Sequence, residues 1–368
     1  MKKITSLSRK EREEYFTEAA ARKGVQPIII EKDFWVCWTL KRLYEIKELK
    51  DNITFKGGTS LSKAYGIIER FSEDIDLTIA KPYLGVEGEN DPAKATGTNK
   101  RNALLENLKE RCGVAVGNQI LDLLRQSFTE HLGEEDASFD MVGNTEKNHA
   151  DGWGLGIDDK DKQTLLFGYP KAINYVLPYE QMEWEDKDFW LGKWGYIKPV
   201  IRLEFGALGD SFPTERKAII PYLLQAIPEL GEEATDTNVL SVERTFWEKA
   251  TILHQEAHRD QGKPMPSRLS RHYYDLYMLA KAGIADKALK KPELLEVVAK
   301  HKAVFFPSAW ASYDTAKKGS LKLLPPAFRI EELKKDYKDM EPMFFTDAPS
   351  FDKVISYIGD LEKKINNG

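Results

Sequence analysis

The sequence has few cysteines and no cysteine pattern. Cys37 and Cys112 are the only two in 368 residues, and both stand in apolar, helix-like surroundings. Two cysteines in a chain of this length make neither a disulfide framework nor the paired spacing of a zinc site. They predict buried thiols in a reducing compartment.

Long apolar runs and an excess of positive charge are also missing. No window approaches the ~18–20 uncharged apolar residues of a membrane-spanning helix. The N-terminus, MKKITSLSRKEREEYF, starts with basic residues but has no apolar run that would make it a signal peptide. The formal net charge of −5 excludes a protein that binds polyanions over its whole surface. We therefore expect a cytoplasmic protein that makes no membrane contact.

What is present is the composition of a folded protein with two domains. Apolar residues make up 42% and charged residues 31% of the chain, and 368 residues exceed what a single core usually supports. Strand-like and helix-like patterns alternate in the first half, whereas the pattern from about 214 onward is mostly helical. We expect an α+β domain with N-terminal helices over 1–215 and a helical domain over 216–368.

The segment FKGGTSLSKAYGIIERFSEDIDL, residues 55–77, joins a glycine turn to two aspartates. Asp74 and Asp76 stand at i and i+2 on a predicted strand, so they project from the same face. Their repulsion is relieved by a cation between them, and Mg²⁺ prefers such oxygen ligands. The turn precedes a helix pattern with Ser60 as its candidate N-cap, and backbone N–H groups there can bind an anion. The candidate nucleotide-binding residues are Lys56, Gly57, Gly58, Thr59 and Ser60.

The same stretch resembles a known motif. KGGTSLSKAYGIIERFSEDIDL resembles the first motif of the DNA polymerase β-like nucleotidyltransferase superfamily. It resembles more narrowly the K-G-G-T-x-L … R-x-S-E-D-[IL]-D-[LF] signature of the AbiEii/AbiGii toxin family. Further segments resemble family blocks in the same order: IEKDFW (30–35), VERTFWEKATILH (242–254), RHYYDLYML (271–279) and WASYDTAKKGSLKLLP (310–325). The resemblance covers most of the chain and implies a polymerase β-like core, a small mixed sheet flanked by helices, followed by a helical C-terminal domain.

The superfamily resemblance implies a third carboxylate on a neighbouring strand, which helps to hold the metal and to deprotonate the attacking hydroxyl. The strand pattern VIRLEFGAL supplies Glu204, which would face the site together with Arg202 while the apolar residues between them face the core. Alternatively, Glu204 is a solvated residue paired with Arg202. Glu180 and Asp188 are weaker candidates because neither stands in a clear strand pattern.

Lys249 is unusual because it falls on the apolar stripe of a predicted helix, three residues after Phe246 in SVERTFWEKATILHQEAHR (241–259). A lysine on a buried face needs a partner for its charge. The family resemblance implies that Lys249 contacts the nucleotide triphosphate, and that Asp275 pairs with it and orients it. The alternative is that the lysine stem covers apolar surface while its charge reaches water.

Two further patterns concern nucleic acid and metal. The segment 258–322 carries thirteen Lys or Arg against six Asp or Glu, a net charge of +7, with Trp310 and Tyr313 among them. Such a surface suits a nucleic-acid backbone and a stacked base, although it is also typical of a solvated helical surface. The H-x-x-x-H of His254 and His258 has Gln255 where a metalloprotease has Glu, which favours a polar helix face over a zinc site. The candidate nucleic-acid-binding residues are Arg259, Lys263, Arg268 and Arg271.

The resemblance implies the toxin of a type IV toxin–antitoxin, abortive-infection system in phage defence, with a cognate antitoxin. The enzyme would transfer a nucleoside monophosphate from an NTP to an acceptor, the 3′ end of a tRNA, by a two-metal mechanism with Mg²⁺ held by Asp74, Asp76 and Glu204. Two alternatives stay open: an enzyme that nucleotidylates (AMPylates) a protein hydroxyl, and a non-catalytic nucleotide-binding module. A basic 258–322 surface would favour RNA, and a Glu204 directed away from the two aspartates would favour the module.

Overall fold

The computed structural model describes residues 1–139, 152–173, 199–231, 233–345 and 347–367. Within these ranges, one mixed sheet contains seven strands. The strands are β1 (Ile53–Lys56), β2 (Ile75–Ile79), β3 (Gly154–Asp158), β4 (Asp161–Gly168), β5 (Val200–Gly206), β6 (Thr214–Ile219) and β7 (Thr235–Leu240).

Helices flank the sheet and form the C-terminal half of the molecule. The helices up to the last strand are α1 (Lys2–Thr5), α2 (Arg9–Lys23), α3 (Pro27–Glu45), α4 (Lys47–Lys50), α5 (Gly57–Lys63), α6 (Thr98–Ala115), α7 (Leu121–Leu132) and α8 (Tyr222–Ala226). A π-helical turn, Val116–Ile120, connects α6 to α7. The later helices are α9 (Val242–Ala257), α10 (Ser270–Lys281), α11 (Ile284–Leu289), α12 (Glu293–Phe305), α13 (Ile330–Asp339) and α14 (Phe351–Asn367). None of the described helices is both long and apolar enough to cross a membrane.

Local sequence signals account for where several helices begin and end. Ser8 and Glu11 form a reciprocal capping box at the start of α2, and Gly24 closes that helix in the left-handed conformation at φ +67°. Ser241 caps α9 by accepting a hydrogen bond from the backbone N–H of Arg244 at 3.3 Å. The helix that carries Lys249 therefore begins directly after the last strand.

The strand order is β3-β4-β5-β2-β1-β7-β6, so β2 lies in the interior of the sheet between β5 and β1. The β2–β5 and β1–β7 pairs are parallel, and the remaining pairs are antiparallel. The alternation of β2 buries Ile75, Leu77 and Ile79. The expected α+β fold with a mixed sheet and a helical C-terminal region is confirmed.

Two hydrophobic cores lie on either side of the division between sheet and helices. In the first core, Trp35 and Trp38 of α3 pack on Phe167 of β4, with ring centroids 6.1 and 5.8 Å apart. The second core is built from α9 to α14 and the segments between them, and it also includes Leu61 and Ile68 from the first half of the chain. The segment around Ile68 is therefore attached to the helices although it precedes a central strand.

One expectation about local structure is wrong, and another needs a later boundary. The region from 214 is mostly helical as expected, but β6 and β7 first extend the sheet to Leu240. β6 is an edge strand with the polar sequence TERKAI, so its outward charged residues hide the apolar alternation that identifies a buried strand. Ser60 does not cap a helix, because α5 already starts at Gly57 and ends at Lys63.

The charged run at the start of α3 is buried. Lys32 forms an ion pair with Glu73 at 2.5 Å, and Asp33 forms one with Lys63 at 2.7 Å. Glu31 accepts hydrogen bonds from backbone N–H groups of the segment that follows β4. These residues fix α3 against three other parts of the fold.

Candidate active site

Three carboxylates line one cleft at the surface of the sheet. Asp76 on β2 lies directly beside Glu204 on β5, because these residues are partners in the parallel register. Lys56 on β1 is the partner of Asp76 on its other side, and Asp74 immediately precedes β2. All four residues line the cleft. We call Asp74, Asp76 and Glu204 the sheet wall.

The charges of the sheet wall repel one another. Burial raises the pKa of Asp76 to about 6; Lys56 opposes this shift, and the charges of Glu204 and Asp74 add to it. Burial, followed by the charge of Asp74, also raises the pKa of Glu204. A cation bound between these side chains would relieve both effects.

Glu204 also has the arginine partner that the sequence suggested. Arg202 Nε donates to Glu204 Oε1 at 3.4 Å, while its Nη1 binds Asp158 Oδ2 at 2.6 Å. The closer partner of Arg202 is thus Asp158, and Glu204 stands in the cleft beside Asp76. The weaker candidates, Glu180 and Asp188, lie outside the described residues.

The glycine turn makes room for the sheet wall. Gly57 has φ +78°, and a Cβ at this position would collide with the carboxylate of Asp76. A Cβ on Gly58 would lie 2.7 Å from Ser72 Oγ and 2.8 Å from Arg70 Nη2. The two glycines therefore allow side chains of β2 and of the segment before it to approach the backbone of the turn.

The hydroxyl groups of Thr59 and Ser60 do not face the cleft. Thr59 Oγ1 donates to the backbone carbonyl of Asp74 at 2.6 Å, and Ser60 Oγ donates to the carbonyl of Gly57 at 2.9 Å. Both side chains are buried, and the cleft is lined instead by Ser72. Thr59 and Ser60 fix the turn, so their side chains are not available as phosphate ligands.

The opposite side of the cleft comes from α9 and α10. Lys249 is buried, and its Nζ donates to Asp275 Oδ2 at 2.8 Å, which is the ion pair expected from the sequence. Lys249 Nζ also lies 3.2 Å from His272 Nδ1. Burial, with the charges of Lys249 and Arg271, holds the pKa of His272 well below its usual range, so its Nδ1 accepts this hydrogen bond. We call Lys249, Arg271 and His272, with Asp275 behind them, the helical wall.

Asp275 is the centre of a buried ionic network. Arg70 donates to both of its carboxylate oxygens, from Nε at 2.8 Å and from Nη2 at 2.9 Å. Burial alone would raise the pKa of Asp275, but the charges of Arg70 and Lys249 outweigh it and hold that pKa well below its usual range. Asp275 is thus ionised and joins one cation from each half of the molecule.

The cleft between the two walls has a volume of about 240 Å³. Sequence reasoning missed six of the side chains that line it. Arg70 and Ser72 lie within the quoted motif, and His272 precedes Asp275 by one helical turn, so spacing could have identified them. The remaining three stand near Lys249 on α9; they are Thr245, Glu248 and Ile252.

The four residues predicted to bind nucleic acid occupy different positions. Arg271 lines the cleft, whereas Arg268 is exposed in the loop before α10. Arg259 is bound by Glu256 and stacks over the Trp310 ring at 4.3 Å, and Lys263 lies 5.2 Å from the same ring. Together they form a basic and aromatic surface that follows the C-terminal end of α9.

His254 is committed to the fold. Its Nε2 lies 3.0 Å from the carbonyl oxygen of Ser312, and its Nδ1 accepts from the N–H of Lys322 at 2.9 Å. Both ring nitrogens are therefore occupied, which supports the polar helix face over a zinc site. Among the described residues, no group of three or more His, Cys, Asp or Glu side chains is already arranged to hold a metal ion.

The sheet wall nevertheless has the chemistry of a magnesium site. All of its donors are carboxylate oxygens, and burial beside like charges raises the pKa values of Asp76 and Glu204. Mg²⁺ takes one or two protein carboxylates and completes its shell with water and substrate phosphate. The residues therefore fit a Mg²⁺ ion that binds together with a phosphate ligand.

Among the comparisons with known proteins, a family model identifies the family. The family model described as "Nucleotidyl transferase AbiEii toxin, Type IV TA system" matches residues 38–357. Among solved structures, MenT4, a nucleotidyltransferase toxin from Mycobacterium tuberculosis H37Rv, is similar at 13% identity and a TM-score of 0.39, over 98% of this chain and 100% of that chain. No curated protein sequence is similar enough to match. Because the family model spans most of its length, the chain belongs to the AbiEii nucleotidyltransferase toxin family of type IV toxin–antitoxin systems.

Proposed function

We propose that this chain transfers a nucleoside monophosphate from an NTP to the 3′-terminal hydroxyl of a tRNA. One observation carries the proposal: three carboxylates and a buried lysine face each other across a single cleft. Nucleotidyl transfer needs both features, because the reaction moves a polyanion whose charge increases on the leaving pyrophosphate. A cytoplasmic location and a role in phage defence are part of the same proposal, and the toxin–antitoxin family implies a cognate antitoxin.

In this proposal the sheet wall holds the metal. Asp74 and Asp76 would hold two Mg²⁺ ions, with Glu204 as a further ligand of the catalytic one. Bound Mg²⁺ supplies positive charge and orientation at the phosphate oxygens. The direct register between Asp76 and Glu204 supports an enzyme over a non-catalytic module, because a module that only binds nucleotide needs no third carboxylate beside the pair.

The chain's own groups have separate tasks in the transfer. The acceptor oxygen forms a bond to the α-phosphorus, while the bond from that phosphorus to the oxygen of the β-phosphate breaks and its electron pair leaves with pyrophosphate. Glu204 takes the acceptor proton. Lys249 faces the leaving pyrophosphate and stabilises its charge. Lys56 and the backbone of the Gly57-Gly58 turn complete the triphosphate site.

A basic surface supports RNA as the acceptor. Arg271 lines the cleft, Arg268 is exposed in the loop before α10, and Arg259 and Lys263 lie over the Trp310 ring. Backbone phosphates of a single-stranded 3′ end suit such a combination of cations and an aromatic ring. A protein hydroxyl as the acceptor remains the second candidate, since the cleft alone does not require RNA.

The test is a transfer assay on the purified protein. The protein is incubated with Mg²⁺, each α-labelled NTP in turn, and total tRNA or total protein, beside an Asp76→Ala control. We expect label on tRNA from the wild type only, and none after EDTA is added. Label on protein instead of tRNA would show that the acceptor is a protein hydroxyl. A folded wild type that binds NTP but labels neither acceptor would refute nucleotidyl transfer.

A further inference from the structure

The segment that leads into β2 is held by the helical half of the molecule. We call residues 67–72 the lead-in segment. Ile68 belongs to the second hydrophobic core, and Arg70 forms an isolated β-bridge with Phe344. The N–H of Phe71 donates to the carbonyl of Met343 at 2.6 Å. The position of the following aspartates therefore depends on the helices as well as on the sheet.

Arg70 is the ionic link in this attachment. Its side chain is only 3% exposed, and its Nε and Nη2 bind the two oxygens of Asp275, which is 0% exposed. Its Nη1 donates to the carbonyl of Phe71 at 3.2 Å. The guanidinium thus binds the helical half while it also fixes the backbone that leads into β2.

Asp275 connects Arg70 to Lys249. Its Oδ2 accepts from Arg70 Nη2 at 2.9 Å and from Lys249 Nζ at 2.8 Å. The position of the Lys249 ammonium group therefore depends on that of Asp275, its shorter hydrogen-bond partner. Arg70 also fills the space that Gly58 leaves open, since a Cβ there would lie 2.8 Å from its Nη2. The contacts of Arg70 connect the helical wall to the glycine turn of the triphosphate site.

We infer that Arg70 is a positioning residue for the transfer: it fixes Asp275, and through Asp275 the ammonium group of Lys249, relative to the glycine turn and the sheet wall. The inference rests on the proposed function. A planar guanidinium suits this task because it binds both carboxylate oxygens at a fixed angle, whereas a lysine would make a point contact. Misplacement of a catalytic group by about 1 Å can reduce a rate about 100-fold, so the loss of Arg70 is expected to reduce turnover strongly.

A double-mutant cycle tests the inference. The variants are Arg70→Gln, Lys249→Gln and the double variant, and the measured quantities are kcat for transfer and the Kd of a labelled non-hydrolysable NTP. We expect Arg70→Gln alone to lower kcat about 100-fold. In the Lys249→Gln background the same change should lower kcat less than about threefold, because its effect passes through the lysine. The nucleotide Kd should change less than about threefold in Arg70→Gln.

Arg12→Gln is the matched control. Arg12 is also a buried arginine, and it donates to the backbone carbonyl of Leu7. Neither residue lines the cleft. Arg12→Gln should lower Tm without lowering kcat. This control separates a general loss of stability from displacement of Lys249. If Arg70→Gln does not fold, Arg70→Lys enters the same cycle, since it retains the charge but not the two-pronged contact.

The possible outcomes separate this inference from the proposed function. Additive effects of Arg70→Gln and Lys249→Gln on kcat would overturn the inference while the wild type still transfers nucleotide. A nucleotide Kd that rises as much as kcat falls would also overturn it, because Arg70 would then bind phosphate directly. A wild type without transfer would overturn the proposed function and, with it, this inference.

Discussion

The two walls of the cleft stabilise their charges in different ways. In the sheet wall, strand register places carboxylates side by side, and burial with mutual repulsion raises the pKa values of Asp76 and Glu204. In the helical wall, the carboxylate of Asp275 is shared by Lys249 and Arg70, and its pKa is lowered. The helical wall therefore pairs its carboxylate with two cations of the protein, whereas Lys56 and Arg202 beside the sheet wall leave the pKa values of Asp76 and Glu204 raised.

This difference implies a division of tasks. A network that is satisfied within the protein is rigid before the substrate binds, which is what electrostatic stabilisation of a leaving group requires. A cluster of unsatisfied carboxylates has low stability by itself but a high affinity for a divalent cation. Removing one carboxylate from each wall should therefore have different effects on stability.

The largest effect is expected for Asp275→Asn in the helical wall. This change leaves Arg70 and Lys249 buried without their shared carboxylate, and breaking a buried ion pair typically costs about 3–5 kcal/mol. Urea unfolding at pH 7.5 in EDTA should show that the free energy of unfolding falls by this amount. A loss below about 1 kcal/mol would contradict the comparison, since surface ion pairs contribute no more than that.

Asp76→Asn in the sheet wall should instead leave stability in EDTA unchanged or raise it. The pKa of Asp76 is raised to about 6 in the folded protein, so its contribution to stability is present at low pH and is lost as the pH rises through about 6. Above that pH the ionised wild type is penalised, and asparagine removes the penalty. Transfer should fall more than about 100-fold, as expected for loss of a group that stabilises the transition state.

Thermal melts with and without Mg²⁺ plus a non-hydrolysable NTP check the same variant. The wild type should gain Tm when both are added, because a ligand that binds only the folded state stabilises it. Asp76→Asn should lose most of this gain. An equal gain in the variant would show that the sheet wall is not where the cation binds.

Gly57→Ala tests how closely the glycine turn and the sheet wall are packed. Its matched control is Gly24→Ala: both glycines have positive φ, at +78° and +67°, but only at Gly57 would a Cβ meet the Asp76 carboxylate. Both changes should cost about 1–2 kcal/mol of stability from backbone strain. Only Gly57→Ala should reduce transfer, by about 10- to 100-fold, because it displaces Asp76. Equal activity of the two variants would argue that Asp76 can move without cost.

The sequence was most informative where the site is local. The period-two pattern around Asp74 and Asp76 follows from strand geometry, so their shared face could be predicted without a partner strand. The pairing of Asp76 with Glu204 depends on a parallel register between strands far apart in the chain, and only a resemblance to known proteins suggested it. The Arg70–Asp275 contact spans 205 residues and leaves no periodic signal in either segment.

The two strands at one edge of the sheet, β6 and β7, were not predicted from the sequence, for a different reason. β6 and β7 contain many Thr and charged residues, because one is an edge strand and the other lies beside it. Edge strands expose polar side chains, so hydrophobic alternation is weak there. The core of the fold and the first motif were thus readable from the sequence, and the family resemblance supplied the Lys249–Asp275 pair, while the contact of Arg70 with that pair required tertiary structure.

The smallest effect is expected where the helical wall meets the outer surface. Arg271 lines the cleft, whereas Arg259 is held by Glu256 over the Trp310 ring. Arg271→Gln should raise the KM for NTP and for tRNA about tenfold, since a hydrogen bond to a charged group contributes about 1.5–3 kcal/mol. Arg259→Gln should raise only the KM for tRNA, about threefold. It should also reduce the slope of log KM for tRNA against log salt concentration by about the contribution of one phosphate contact. If Arg259→Gln changes neither value, the acceptor does not reach the Trp310 surface. The functional part of the helical wall would then end at the mouth of the cleft.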